Sequence, residues 1–380
     1  MNVWLNGRIV DGGEAVISVY DHGFLYGLGL FETFRTYGGE PYLLERHLER
    51  LRSGCDELGI PFDMEGAELR LRVRELLAVN GLADGYVRLT VSAGDGELGL
   101  PAGDYARPTV LLLVKALPAT SDETLRRGRE LRLLRTRRNT PEGQVRFKSL
   151  HYMNNILAKR EMLGLTRGED RAALRSDPDA VRQLTEHGAG MSQPESGAEP
   201  QLPERGSNSG QLAPSGNRVQ DAEDVDPLLS SHSAASEGPS PMVADQEQAV
   251  SSLPSPGAEG LMLSREGWLA EGIVSNLFFL RDGTVCTPSI ATGILPGVTR
   301  ARVLELAQES GCKVEEGLYS WEELLEADEV WLTNSIQELV PVTVLSDWDG
   351  FERKVGGGEA GPLTMRLLAM YRADTGSATL

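Results

Sequence analysis

The feature that most limits how this chain can fold is a compositional break in its middle. Between Tyr152 and Trp268 there is no aromatic residue, and Gln193 to Gly257 is dominated by Ser, Pro, Gly, Glu, Asp and Gln. Such a stretch cannot bury enough apolar area to offset its ordering entropy. It is expected to be disordered, an insertion over 164–257 in a surface loop, where added length costs little closure entropy. It shows no repeat, and nothing in it names a partner. The fold must therefore be assembled from the two flanks. At 380 residues, two domains are expected. One is a small N-terminal α/β domain over 1–116. The other is larger and joins 122–163 to 258–380 across the insertion. The step from Ala116 to Asp122, with small residues and Pro118, marks the boundary.

The flanks read as a mixture of strands and helices, an α/β (α+β) class. Val3 to Val10 holds Asn6-Gly7, a hairpin signal between short apolar runs. Ala15 to Val19 reads as a further strand, and Phe31 to Leu44 as a hairpin turning at Gly38-Gly39. Leu44 to Leu58 places Leu44, Leu48, Leu51, Cys55 and Leu58 on one helical face. Glu65 to Val79 is a second helix; Tyr86 to Ala93 and Thr109 to Lys115 are strands. In the second half, Glu130 to Arg135 is a strand and Ser149 to Leu163 a helix with Ser149 as N-cap. Leu261–Leu263 and Trp268–Ala270 form a hairpin, and Glu271 to Leu280 a strand with a carboxylate at its start. Thr299 to Glu309 and Leu363 to Arg372 are helices, with strands at 313–316, 328–333 and 340–345.

Composition narrows the function. A net charge of -19 argues against nucleic acid, whose phosphates would be repelled. Cys55, Cys286 and Cys312 stand alone, outside any metal-ligand spacing, which fits a reducing cytosol. No apolar run approaches the roughly 18 residues of a membrane span, and the N-terminus has no basic and apolar leader. A cytoplasmic protein is expected, with no metal.

Chemistry centres on Lys148. The chain prefers Arg, and its only lysines are Lys115, Lys148, Lys159, Lys313 and Lys354. Arg stays protonated and cannot act as a nucleophile. A lysine kept among Arg138, Arg146 and Arg160 therefore suggests a task Arg cannot fill, since nearby positive charge frees its amine. A helix start just after Lys148 would act in the same sense. Gly23, Gly27 and Gly29 mark backbone running close to packed chain or to a ligand, packing being the better reading because the glycine pattern of a dinucleotide site is incomplete. His47 and Arg50, three apart, share one side of a helix; alone they read as well as a solvated face. Gly297-Val298-Thr299-Arg300 opens a helix, either as an anion site or as a simple Thr cap.

Taken in order, these pieces resemble the fold-type IV pyridoxal-phosphate enzymes, which include branched-chain and D-amino-acid aminotransferases and 4-amino-4-deoxychorismate lyases. The matching pieces are Asp21-His22-Gly23 with Tyr26-Gly27, Phe31-Glu32, His47-x-x-Arg50-Leu51, Lys148-Ser149, Glu271-Gly272 with Ser275-Asn276-Leu277-Phe278, Gly297 to Arg300, Asp328-Glu329, and Thr333-Asn334-Ser335. The resemblance implies a two-domain fold with pyridoxal 5'-phosphate between the domains. By it, Lys148 carries the cofactor, Glu271 faces the pyridine nitrogen, and Arg50 binds the phosphate with Val298, Thr299 and Ser335. Tyr152 would lie near the phenolic oxygen. Homodimers with residues crossing into the partner's site are implied too.

Within the family, the runs Arg137 to Gly143 and Arg146 to Tyr152, Gly29 to Arg35 and Thr333 to Glu338 resemble the aminodeoxychorismate lyases. That resemblance implies conversion of 4-amino-4-deoxychorismate to 4-aminobenzoate and pyruvate, toward folate. Arg88, Arg138 and Arg146 are candidates to meet the substrate's two carboxylates. Tyr86-Val87-Arg88 and Gly99-Leu100-Pro101 also resemble branched-chain aminotransferases, so an aminotransferase using 2-oxoglutarate stays open.

Overall fold

The computed structural model describes residues 1–118, 121–164, 255 and 257–376, all within one compact unit. The expected insertion lies almost wholly outside them. Two sheets organise the chain.

The first sheet is antiparallel, with strands β1 (Asn2–Leu5), β2 (Arg8–Asp11), β3 (Gly29–Tyr37), β4 (Glu40–Pro41), β5 (Tyr86–Ser92) and β6 (Thr109–Lys115) in the order β2-β1-β6-β5-β3-β4. Asn6 and Gly7 turn the first hairpin at φ 46° and 93°, the left-handed pair such a turn needs. Helix α1 (His22–Tyr26) precedes β3, and α2 (Leu44–Glu57) and α3 (Gly66–Val79) pack on the sheet. Leu44, Leu48, Leu51 and Cys55 of α2 are buried in its core with Leu69, Val73 and Leu76 of α3, as the 3.6-residue period requires.

The second sheet has β7 (Arg129–Leu133), β8 (Glu259–Leu263), β9 (Leu269–Gly272), β10 (Asn276–Arg281), β11 (Thr284–Pro288), β12 (Lys313–Gly317), β13 (Glu329–Asn334), β14 (Glu338–Ser346) and β15 (Glu352–Lys354). Its path is β12-β11-β10-β13-β14-β7-β8-β9, with β15 on β14. Glu271 of β9 also pairs with Asn276 of β10, so six strands close into a ring. Alternation divides the side chains. Leu277 and Phe279 join one core with Leu131, Leu261 and Leu332, while Phe278 and Trp331 pack outward. The outer layer holds α4 (Asp122–Arg127), α6 (Val298–Glu309) and α8 (Pro362–Asp374), with α5 (Met153–Met162) and α7 (Trp321–Leu325) elsewhere.

Three expectations fail locally. Residues 15–19 form no strand: the backbone turns on Asp11, and Val16 stands 79% exposed. The helix expected from Ser149 begins only at Met153, with Tyr152 as an N-cap lacking a side-chain bond. The strand expected over 271–280 is broken at 273–275, so Glu271 ends one strand instead of starting the next.

Candidate active site

Residues 148–150 run along the start of β3. The Phe31 N–H donates to the Lys148 carbonyl at 2.8 Å, and the Leu150 N–H donates to the Gly29 carbonyl at 3.0 Å. Only glycine permits this approach, because a Cβ at Gly29 would lie 2.8 Å from Ser92 Cα and 2.9 Å from Leu150 Cδ1. Lys148 is thereby set at the seam of the two sheets. Its Nζ lies 4.7 Å from the Phe31 ring centre, which also faces Arg88 Cζ at 3.5 Å and the Tyr152 ring at 5.5 Å. Burial, then the Arg50 and Arg88 charges, lower the Lys148 amine to about 8, against the opposing pull of Glu32 and Glu271. The cations that act are Arg50 and Arg88, and the late start of α5 removes the helix end from the account.

On one side of Lys148 is a site suited to an anion. Arg50, on α2, donates through Nε and Nη2 to Glu32 at 2.7 and 2.6 Å and through Nη1 to the Pro296 carbonyl at 2.7 Å. It thus ties the first sheet to the loop that opens α6. His47 Nδ1 lies 2.7 Å from Glu32 Oε2, and its Nε2 lies 3.4 Å from Ser335 Oγ. Ser335 Oγ is 3.2 Å from Thr299 Oγ1 in the first turn of α6. Gly297 caps that helix without a side-chain bond, so the positive N–H end of α6 faces this cluster of hydroxyls and Arg50. Burial would raise Glu32, but Arg50 and His47 outweigh it and hold the carboxyl at about 2. Glu32 therefore stays ionised and keeps Arg50 aimed.

On the other side is Glu271, 5% exposed. Its Oε2 accepts from Asn276 Nδ2 at 3.1 Å and the Leu295 N–H at 3.0 Å; its Oε1 accepts from Arg138 Nε at 2.7 Å. Arg138 also donates to Asn154 at 2.8 Å, and Arg146 donates to the Gly293 carbonyl at 2.5 Å. Burial and the neighbouring Arg138 lower Arg146 to about 10. A cavity open to solvent joins these groups, lined by Lys148, Tyr152, Glu271, Arg138, Arg146 and Leu295 among others.

The structure thus brings Arg50, Thr299 and Ser335 together at one end, with buried Val298 in the same helix turn, and Glu271 at the other. Lys148 and Tyr152 stand between. Arg138 and Arg146 line the same cavity but are largely buried, and they donate to Glu271, Asn139, Asn154 and the Gly293 carbonyl. Arg88 differs: its Nε meets only Thr90 Oγ1 at 3.2 Å, and among the described residues no carboxylate pairs with it. Glu32, Asn276 and the Leu295 N–H received no role of their own from sequence, whereas His47 was expected at the cofactor site beside Arg50. Glu32 was legible in principle, as the only carboxylate of β3, next to Phe31 in a strand whose first half is apolar, where burial calls for a cation beside it. An uncapped helix end with hydroxyls, a half-buried amine and a buried carboxylate fit the phosphate, aldehyde and pyridine nitrogen of pyridoxal 5'-phosphate.

Comparison with known proteins agrees. The sequence profile of amino-transferase class IV matches residues 29–177 and 244–345. The chain belongs to that family. It is 32% identical to the aminodeoxychorismate lyase of Bacillus subtilis (strain 168), over 98% of this chain and 94% of that protein. The crystal structure of 4-amino-4-deoxychorismate lyase from Pseudomonas aeruginosa superposes with a TM-score of 0.64 at 27% identity, covering 98% of each chain. The fold is also that of the T.th. branched-chain amino acid aminotransferase crystallised with pyridoxamine 5'-phosphate, at TM-score 0.67, 24% identity, 99% of this chain and 94% of that one.

Proposed function

We propose that this protein is a pyridoxal-phosphate-dependent lyase that converts 4-amino-4-deoxychorismate to 4-aminobenzoate and pyruvate. The observation that carries this reading is the 32% identity, over nearly the whole of both chains, to an aminodeoxychorismate lyase. Lys148 holds the cofactor; Arg50, Thr299, Ser335 and the Val298 and Thr299 N–H groups take its phosphate; Glu271 pairs with its ring nitrogen; Tyr152 lies beside its ring. The bound cofactor supplies an electron sink for a carbanion at the aminated carbon.

The protein's own groups do the rest. The Lys148 amine, already lowered to about 8, removes the proton from the carbon that bears the amine. The bond from the ring to the enolpyruvyl oxygen breaks and the ring becomes aromatic. Lys148 or water delivers a proton to the enolpyruvyl methylene, which completes pyruvate. Arg138 and Arg146 act behind Glu271, fixing its charge and direction. Arg88 is the cation left to meet a substrate carboxylate. Exposed apolar residues around Phe24 support a homodimer, and the three free cysteines suit a reducing cytoplasm. No helix among the described residues is long and apolar enough to cross a membrane.

The test supplies the full chain with 4-amino-4-deoxychorismate and follows 4-aminobenzoate and pyruvate, with Lys148→Ala alongside. Equal release of both products, lost in the variant, is expected. Glutamate formed from 2-oxoglutarate and a branched-chain or D-amino donor, without 4-aminobenzoate, would move the reading to the aminotransferase.

A further inference from the structure

Glu338 opens β14 at φ 64° while only 3% exposed. Among the described residues the other positive-φ positions that are not glycine are Asn6, Leu43 and Asp282. Asn6 and Asp282 sit in hairpin turns beside Gly7 and Gly283, and Leu43 is the N-cap of α2. A long side chain is strained in the left-handed region, where glycine would not be. The carboxylate supplies the reason to keep Glu there. It accepts from the Tyr37 hydroxyl at 2.7 Å and Arg372 Nε at 2.8 Å, with Arg35 Nη1 at 3.5 Å. Burial, then Glu338 itself, push the Tyr37 hydroxyl above its ordinary range, so it stays a donor.

These partners come from β3 and α8, and they frame the turn 335–337. Asn334 and Glu338 are paired across it. From inside, Asn334 Oδ1 accepts the Ile336 and Gln337 N–H groups at 3.0 and 2.8 Å. From outside, Arg35 Nη1 donates to the Ile336 carbonyl at 3.1 Å. The turn carries Ser335, whose Oγ reaches Thr299 and His47.

We propose that Glu338 is a positioning residue for the anion end of the site: clamped by Tyr37, Arg35 and Arg372, it fixes the Ser335 turn against Thr299 without touching the ligand. The proposal rests on the reading that Ser335 and Thr299 take the cofactor's phosphate. It makes affinity for that phosphate depend on a carboxylate that reaches it only through backbone geometry.

The experiment strips the full chain of cofactor and measures binding of pyridoxal 5'-phosphate and of pyridoxal, which lacks the phosphate. Glu338→Gly relieves the backbone and removes the clamp. It is expected to lower the melting temperature, because the buried charged bonds it removes outweigh the backbone relief, to weaken pyridoxal 5'-phosphate about tenfold and to leave pyridoxal unchanged. Glu338→Gln keeps acceptors for Tyr37 and Arg35 and should fall nearer the parent. Equal affinity of Glu338→Gly and parent for both ligands overturns the proposal. Should Glu338→Gly fail to fold, Tyr37→Phe decides, with about a threefold selective loss expected and no selective loss overturning it. Ser335→Ala tests the underlying reading: unchanged phosphate discrimination there removes the phosphate site, and the proposal with it.

Discussion

At the scale of single residues, the site is governed by which charges stand near Lys148. With its amine at about 8, roughly one molecule in ten carries it uncharged at pH 7, against fewer than one in a thousand for an ordinary lysine. Capture of pyridoxal 5'-phosphate by the stripped protein should therefore accelerate about tenfold from pH 6 to 7 and level off above about 8. Arg88→Met removes a charge that lowers this amine and should move the midpoint upward; a midpoint unmoved and near 10 would contradict the assignment. Glu32 makes a second, opposite prediction. Its folded value, about 2, lies below the ordinary 4.5, so its stabilisation is full above about pH 4.5 and is lost as pH falls toward 2. The amount at stake is on the order of 3 kcal/mol. Acid unfolding of Glu32→Gln should lack that portion of the slope and start from lower stability, since Arg50 loses its carboxylate. Identical slopes in the two proteins would remove Glu32 from this role. The rarity of lysine made Lys148 legible in the sequence, but the cations acting on it were not. Arg50 and Arg88 lie far from it along the chain and meet it only because β3 lies between their elements.

At the scale of elements, two helices show how one kind of end is used in two ways. Helix α8 also begins with a glycine cap lacking a side-chain bond, Gly361. There the protein fills the N-terminus itself: Glu329 accepts from the Leu363 and Thr364 N–H groups at 2.9 and 2.8 Å and from the Thr364 hydroxyl at 2.7 Å. Glu329→Ala should cost about 2 kcal/mol in denaturant unfolding, the loss expected for a buried helix cap, with cofactor affinity unchanged. A fall in that affinity would mean the two ends are not independent. Among the described residues no carboxylate caps the first turn of α6, the end that the proposed function gives to the cofactor's phosphate. Gly297→Ala would put a Cβ 2.0 Å from Asn276 Oδ1, displacing the residue that holds Glu271. Its expected outcome is weaker cofactor binding at both ends of the site. Most elements were legible because hydrophobic period and turn residues agree, as in α2 and the Asn6-Gly7 hairpin. Residues 15–19 fail because a local turn on Asp11 leaves them exposed; the other two exceptions share one physical cause, tertiary contact overriding local pattern. Residues 149–152 look like the start of the helix, but residues 148–150 run along β3. Residues 271–280 look like one strand but bend at 273–275, where the Val274 N–H meets buried Glu259 at 3.0 Å.

At the scale of the whole molecule, a surface remains that a lone chain has little reason to expose. Val16, Val19 and Phe24 are 79%, 65% and 73% exposed, and Ile17, Val19 and Phe24 line one groove with Leu111 and Leu150. The surface continues from there. The Gly99 N–H donates to the Tyr26 hydroxyl at 2.8 Å, beside Leu98 and Leu100 at 74% and 91% exposed, and His151 meets the Tyr26 carbonyl near exposed Met153 and Ile156. Continuous apolar surface of this kind marks an interface in most soluble proteins. A second copy of the chain is the simplest partner, because a twofold axis lets one patch cover its like. It would also close the side of the cavity where His151 stands. Sedimentation equilibrium should therefore give a mass near twice the chain's 41.2 kDa, and Phe24→Glu should shift it toward the single chain by placing a charge from each copy in the apolar contact. If the seam between the sheets alone forms the site, that variant keeps its cofactor affinity and its turnover. If the second copy completes the site, turnover falls with the dimer, and raising the protein concentration restores both together.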